Sequence, residues 1–172
     1  MKIILIFFLL IFKFEIAAAN EKIAFIDLNF IINNSIAGKS INNFINDLNN
    51  QKKNDFLTIE NEIKKDEESL ISKKNIIEKS IYNKKVDEIR NRINKYKTEK
   101  KKFNNNLNEK KFKYNNQLLN KLNPIISNYV EKNSINLVLP KKMIIIGKKD
   151  LDITKQILEL LDNSVQKIDF DE

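Results

Sequence analysis

The sequence predicts an α+β protein, a long antiparallel helical hairpin of coiled-coil type on a small three-stranded β body with a C-terminal helix. Three observations lead there. Only 2 Gly and 2 Pro occur among 172 residues while 31% are charged, so helix breakers are too scarce for a loop-rich domain. From Ile41 to Val130 apolar residues recur at helical steps, with no Gly and a single Pro, Pro124. Short β-branched apolar runs lie at the two ends of the chain and not between them.

The elements follow in order. Met1-Lys2, the apolar run Ile3 to Phe12 and Ala17-Ala18-Ala19 have the anatomy of a secretory signal peptide, residues 1–19, cleaved after Ala19. Ten apolar residues are about half of a membrane-spanning helix, although Lys13 and Glu15 before the Ala site keep an uncleaved anchor as the alternative. Ile23, Phe25 and Ile26 lie in a nearly continuous apolar run that reads as a buried strand. Beyond Asn33-Asn34-Ser35 helix begins, with Ser35 or Ser40 as its N-cap.

Ninety residues of unbroken helix would measure about 135 Å, and no one heptad frame is sustained throughout, so a reversal is expected. The apolar phase shifts between Ile76 and Tyr82, where Asn75, Ser80 and Asn83 cluster and Ser80 can cap a new helix. The arms are therefore expected within residues 37–131, with the tip near 79–80, and Pro124 as a kink near the base. Ser134 to Pro140 and Met143 to Gly147 read as two further strands. Asp152 then caps a final amphipathic helix carrying Ile153, Ile157, Leu158, Leu160 and Leu161. Residues 20–36 and 132–172 together form the β-rich body.

Composition excludes most chemistry. The chain has no Cys, His or Trp, which removes Cys-His and Ser-His-Asp nucleophile systems, thiolate or imidazole metal sites and disulfides. With Gly38 and Gly147 alone there is no Gly-rich phosphate loop. Acid pairs such as Asp66-Glu67 sit on charged helices where solvation is their role, so no catalytic residue, metal or cofactor is expected. The abundant Asn, Lys and Ile share A/T-rich codons; the Asn content is read as genomic bias and not as a binding signal.

Charge is unevenly placed. Lys52 to Lys79 carries seven Lys and seven acids, whereas Lys84 to Lys113 carries twelve basic residues against four acids, a surplus of eight that matches the net +8 of the whole chain. A solvated coiled-coil face explains such a stretch; so does an electropositive surface for acidic partners. Arg90, Arg92, Lys95, Lys97, Lys100, Lys101 and Lys102 are the candidate contact residues on this returning arm. Most of its aromatic side chains are expected to fill the seam between the arms. A two-helix hairpin cannot bury every apolar residue, and Phe56 or Phe112 is the expected exposed surplus, Phe112 being the candidate contact. In the body, Ile23, Phe25, Ile26, Leu137, Leu139, Ile144 and Ile146 are more apolar strand residues than one three-stranded sheet covers, so they are covered by the last helix or by a further copy. The positive charge also raises a nucleic-acid-binding coiled coil, against which stand export and the lack of Arg-aromatic interleaving.

In order, Lys22-Ile23-Ala24-Phe25-Ile26-Asp27, Ser35-x-x-Gly38-Lys39, the charged hairpin, Asn136-Leu137-Val138-Leu139 and Asp152-Ile153-Thr154 with its Leu-rich helix resemble the Skp/OmpH family of periplasmic chaperones. The order and spacing carry the resemblance across essentially the whole mature chain. It implies a homotrimer whose β regions join in a central body, with three hairpins projecting as tentacles around a cavity. It further implies an ATP-independent holdase in the periplasm for unfolded outer-membrane β-barrel proteins, with no nucleic-acid partner. Anionic lipid or lipopolysaccharide contact by the basic arm is a further partner expectation. The alternative function is a membrane-anchored structural coiled-coil protein of the envelope.

Overall fold

The computed structural model describes residues 21–170; the expected signal segment lies outside them. The chain runs through β1 (Ile23–Ile26), α1 (Leu28–Asn34), α2 (Ile36–Ser72), α3 (Lys79–Lys132), β2 (Leu137–Pro140), two 3-10 turns (Lys141–Met143 and Lys149–Leu151) and α4 (Thr154–Ser164).

Two consecutive caps build the corner that joins body to hairpin. Asp27 accepts a hydrogen bond from the Phe30 amide at 2.9 Å, satisfying a free donor at the start of α1. Ser35 is fully buried, ends α1 in an extended conformation and caps α2 by accepting from the Gly38 amide at 3.0 Å. Of the two expected caps, Ser35 is therefore the one used. A Cβ on Gly38 would stand 1.6 Å from the Ile32 carbonyl oxygen. Only glycine lets the first turn of α2 pass so close to the backbone of α1. The helix α1 itself was not foreseen, because Phe30-Ile31-Ile32 shows too little periodicity in seven residues to separate helix from strand.

The two long helices run side by side in opposite directions. Phe44 meets Tyr114, Phe56 meets Phe103 and Asp66 meets Arg92, so partners rise on one helix as they fall on the other. In α2 the buried residues Phe56, Ile63 and Leu70 repeat every seven positions, the signature of a coiled-coil seam. The reversal occupies residues 73–78, earlier than the expected tip at 79–80. Lys73 closes α2, its carbonyl accepts from the Ile76 and Ile77 amides at 2.9 and 3.1 Å, and Glu78 is the extended residue before α3. Ser80 is not the cap; its hydroxyl donates to Glu78 Oε1 within the first turn. Pro124 lies inside α3, which continues unbroken to Lys132. Ser134 ends that helix region at φ 51°, a left-handed position, and the Ile135 amide reaches back to the Val130 carbonyl at 3.0 Å.

The sheet differs from the expected three strands. It has two, paired in parallel with Ile23 opposite Leu137 and Phe25 opposite Leu139. Parallel pairing is what a returning hairpin allows, since the arms carry the chain out and back before β2 re-enters beside β1. The expected strand at Met143–Gly147 does not form among the described residues. It cannot add to β1, both of whose edges are taken: β2 holds one, and on the other Phe25 pairs with Asp152 while the Ile153 amide donates to the Phe25 carbonyl at 3.0 Å; the outer edge of β2 is left unpaired among the described residues. The Ile144–Gly147 segment instead folds over the outer face of the sheet, with Gly147 so close to the Phe25 ring that a Cβ there would stand 2.8 Å from it.

The core sits where body and hairpin base meet. Ala24 and Ile26 of β1, Ile31 of α1, Ile41 of α2, Tyr114, Leu118 and Leu122 of α3 and Ile157 and Leu161 of α4 form one buried cluster. The tail after α4 closes it: Phe170 stacks on Phe44 with ring centroids 4.3 Å apart and meets Tyr114 edge-on at 5.0 Å.

Candidate functional site

The seven candidate basic residues of the returning arm divide into two sets by where the hairpin register puts them. Arg92 faces α2, where it is paired with Asp66 and lies 3.4 Å from Glu62. One turn further, the Tyr96 hydroxyl donates to Glu60 at 2.9 Å, and Lys100 donates to the Tyr96 oxygen at 2.8 Å. That hydrogen bond, with Glu60 nearby, holds the Lys100 ammonium above its ordinary value of 10.5. Positions 92, 96 and 100 repeat every four residues and so occupy one stripe. Arg92 and Lys100 are thus ties between the arms, while Arg90 pairs with Asp87 on its own helix at 3.4 Å.

Lys95, Lys97, Lys101 and Lys102 are exposed and make no ion pair among the described residues. They form the outward cationic surface of the hairpin. The arm's own acids Asp87, Glu88, Glu99 and Glu109 number a third of its basic residues, so the charge of these four lysines is only partly offset along the helix. Phe112, on the same helix, is 70% exposed. The expectation for Phe56 is overturned: it is buried in the seam, with Tyr96 and Phe103 packed edge-on at 5.9 and 5.7 Å. Its place in the Phe56, Ile63, Leu70 heptad is the signal that distinguishes it from Phe112.

The candidate assembly residues also divide. Phe25 and Ile26 are buried within the chain, and Leu139 and Ile144 are half-buried. Ile23 and Leu137 remain about half exposed on adjacent strands, and Ile146 is 91% exposed beside an even more exposed Ile145. Exposed apolar side chains on the paired strands and on the segment after β2 are the kind of surface that a further chain can cover. Beneath them, Lys141 and Thr154 hold Asp152. Burial pushes the Asp152 carboxyl up, but hydrogen bonds from the Lys141 ammonium and from the Thr154 hydroxyl and amide outweigh it and keep the group below its ordinary value of 3.8. Sequence reading gave Asp152 the cap of the last helix; the first residue before that helix is Ile153, and Asp152 accepts from the Thr154 amide at 3.0 Å. No group of acidic, His or Cys side chains suited to a metal ion occurs among the described residues.

A helical hairpin rooted in a small parallel sheet, with a cationic returning arm and an apolar sheet edge, defines an OmpH-like architecture. A family model described as "Outer membrane protein (OmpH-like)" matches residues 22–161, and the chain belongs to that family. In structure it is similar to an OmpH-like candidate outer membrane chaperone from Caulobacter crescentus. The two share 14% sequence identity with a TM-score of 0.75, over 90% of this chain and 91% of that one, a likeness of fold. No curated protein matches the sequence.

Proposed function

We propose that the protein is an ATP-independent periplasmic holdase that binds unfolded outer-membrane β-barrel proteins between helical arms and prevents their aggregation. The carrying observation is the outward set Lys95, Lys97, Lys101 and Lys102 with exposed Phe112, borne on a helix of 54 residues, roughly 80 Å long at 1.5 Å per residue. Dispersed charge and isolated apolar contacts give many weak attachments and no single pocket, which suits an unfolded chain of variable sequence. The four lysines lie along the arm beyond the core residues Tyr114, Leu118 and Leu122, while Phe112 lies beside the base. Family membership supports the same reading, and no catalytic role is proposed for any residue.

Residues 20–36 and 132–172 serve as the assembly body of a homotrimer in this proposal, and residues 37–131 as its arms. The open edge of β2, which carries exposed Leu137, supports assembly, since a second copy would cover its unpaired backbone; exposed Ile23 on β1 and Ile146 after β2 offer further apolar surface. Export to the periplasm rests on the N-terminal segment. Among the described residues no helix is long and apolar enough to cross a membrane. The envelope-anchored alternative rests on the Ile3–Phe12 run alone, and the intact mass of the purified protein decides between cleavage after Ala19 and retention.

The proposal is tested by diluting a urea-unfolded β-barrel protein into buffer with and without this protein and following light scattering. Suppression at stoichiometric amounts is expected, weakened by replacing Lys95, Lys97, Lys101 and Lys102 with Gln. No suppression at any ratio would refute the holdase reading. Sedimentation equilibrium showing a monomer at micromolar concentration would refute the trimer.

A further inference from the structure

The chain past α4 is held in place by its side chains. Val165 is extended, at φ −137° and ψ 95°, and residues 166–170 form neither helix nor strand. Among the described residues no backbone-to-backbone hydrogen bond ties 166–170 to another element. The side chains alternate instead: Ile168 is 4% exposed, Asp169 is exposed and Phe170 is half-buried. Phe170 lies flat on Phe44 of α2, with ring centroids 4.3 Å and planes 1° apart, and meets Tyr114 of α3 edge-on at 5.0 Å. Phe44 and Tyr114 also meet each other edge-on, at 5.8 Å. The two arms thus build a two-walled aromatic corner at the base of the hairpin, and the tail supplies the third ring.

We infer that this corner is a binding site for an extended segment of unfolded polypeptide with an aliphatic side chain two residues before an aromatic one, and that the tail is its tethered occupant. A segment gripped through alternate side chains, without a backbone ladder, leaves and returns more readily than a paired strand. While seated, it keeps the corner from standing open to water. The pattern Ile168-Asp169-Phe170 is also that of membrane β-barrel strands, which alternate apolar and polar side chains and carry aromatic residues where they reach the interface. The ring walls read the flat face that Phe, Tyr and Trp all present, so the site accepts many sequences of this pattern. The inference rests on the holdase reading for the identity of the partner, whereas the site itself is defined without one.

The sequence has no Trp, so Phe170→Trp in the full chain places a single indole in the corner. An excess of a peptide with the sequence of residues 164–170 is expected to displace it and move its emission to the red. The same peptide with Ser in place of Ile168 and Phe170 is expected to leave the emission unchanged. A Trp-free β-barrel protein diluted from urea is expected to give the red shift as well. In a second measurement, the fluorescein-labelled peptide is expected to bind Phe170→Ala about tenfold more tightly than the unaltered protein, because a short tether holds the tail at an effective concentration on the order of mM. Far-UV circular dichroism checks the helices of both variants. No red shift with the peptide, or equal peptide affinity in Phe170→Ala and the unaltered protein, overturns the inference. If the β-barrel protein gives no shift while the unaltered protein suppresses its aggregation, the inference falls and the holdase reading stands. If aggregation is not suppressed but the peptide displaces the tail, the holdase reading falls and the peptide site is supported. A red shift produced by raising protein concentration alone would assign the corner to the tail of a second copy and overturn the inference.

Discussion

At the base of the hairpin Tyr114, Leu118 and Leu122 are fully buried under contributions from β1, α1, α4 and the C-terminal tail, whereas nearer the tip Tyr82, Val86, Ile89 and Ile93 on the same helix are only half covered. The base has five elements to share its apolar surface; the distal arms have only each other. The distal half compensates with heptad seam residues and with the polar stripe Arg92–Asp66 and Lys100–Tyr96–Glu60. Solvent-exposed polar pairs are worth little individually, so they set register more than stability. Local stability should consequently fall from base to tip, with Lys95 to Lys102 lying beyond the buried core of the base.

The strongest way to break this contrast is at its root. Gly38→Ala sets a Cβ against the Ile32 carbonyl, and backbone cannot yield as a side-chain end can; a loss on the order of 3 kcal/mol or more in urea unfolding is expected, with reduced soluble yield. Next, Leu118→Ala at the base should cost about 3 kcal/mol and lower protection from hydrogen exchange across β1, α1 and α4. Phe56→Ala in the seam should cost about 2 kcal/mol, less because two helices collapse onto a void more easily, with faster exchange confined to the distal arms. Equal spread of exchange in the two variants would mean that base and arms unfold as one unit. Arg92→Ala should cost only about 0.5 kcal/mol, and that difference should shrink in high salt.

A smaller, pH-dependent test belongs to the body. The Asp152 carboxyl is held below its ordinary value in the folded state, so it binds a proton less readily there than in the unfolded chain. Its stabilising contribution is present above about pH 4 and is lost as pH falls through the depressed folded value. The stability gap between the protein and its Asp152→Asn variant should therefore narrow in acid, while the gap for Arg92→Ala near neutral pH stays unchanged.

Much of the fold was legible because it rests on local rules. Scarcity of Gly and Pro with three- and four-residue spacing foretold the long helices, and Ile23 to Ile26 with Leu137 to Pro140 foretold the two strands. Legibility ended where non-local partners decided. Met143 to Gly147 has the composition of a strand, but Asp152 occupies the second edge of β1 and the segment packs Gly147 against the Phe25 ring instead of pairing. Arg92, Lys95, Lys97 and Lys100 look alike in sequence; only the antiparallel register reveals that Arg92 and Lys100 face acids on α2 while Lys95 and Lys97 face water. Phe56 and Phe112 were separable in part, since the former continues a heptad. The Phe170 contact with Phe44 and Tyr114 had no sequence signal, because a short tail shows no period.

The sequence by itself determined that the chain would be long helices between short strands, without Cys or His side chains, and with its positive charge on the returning arm. Those properties follow from residue type and from spacing along one segment. The tertiary structure alone decided which cations remain free, which apolar residues stay uncovered and that the sheet stops at two strands. Each of these depends on what distant segments bring to the same place, and a one-dimensional pattern carries no information on that until the register between the arms is fixed.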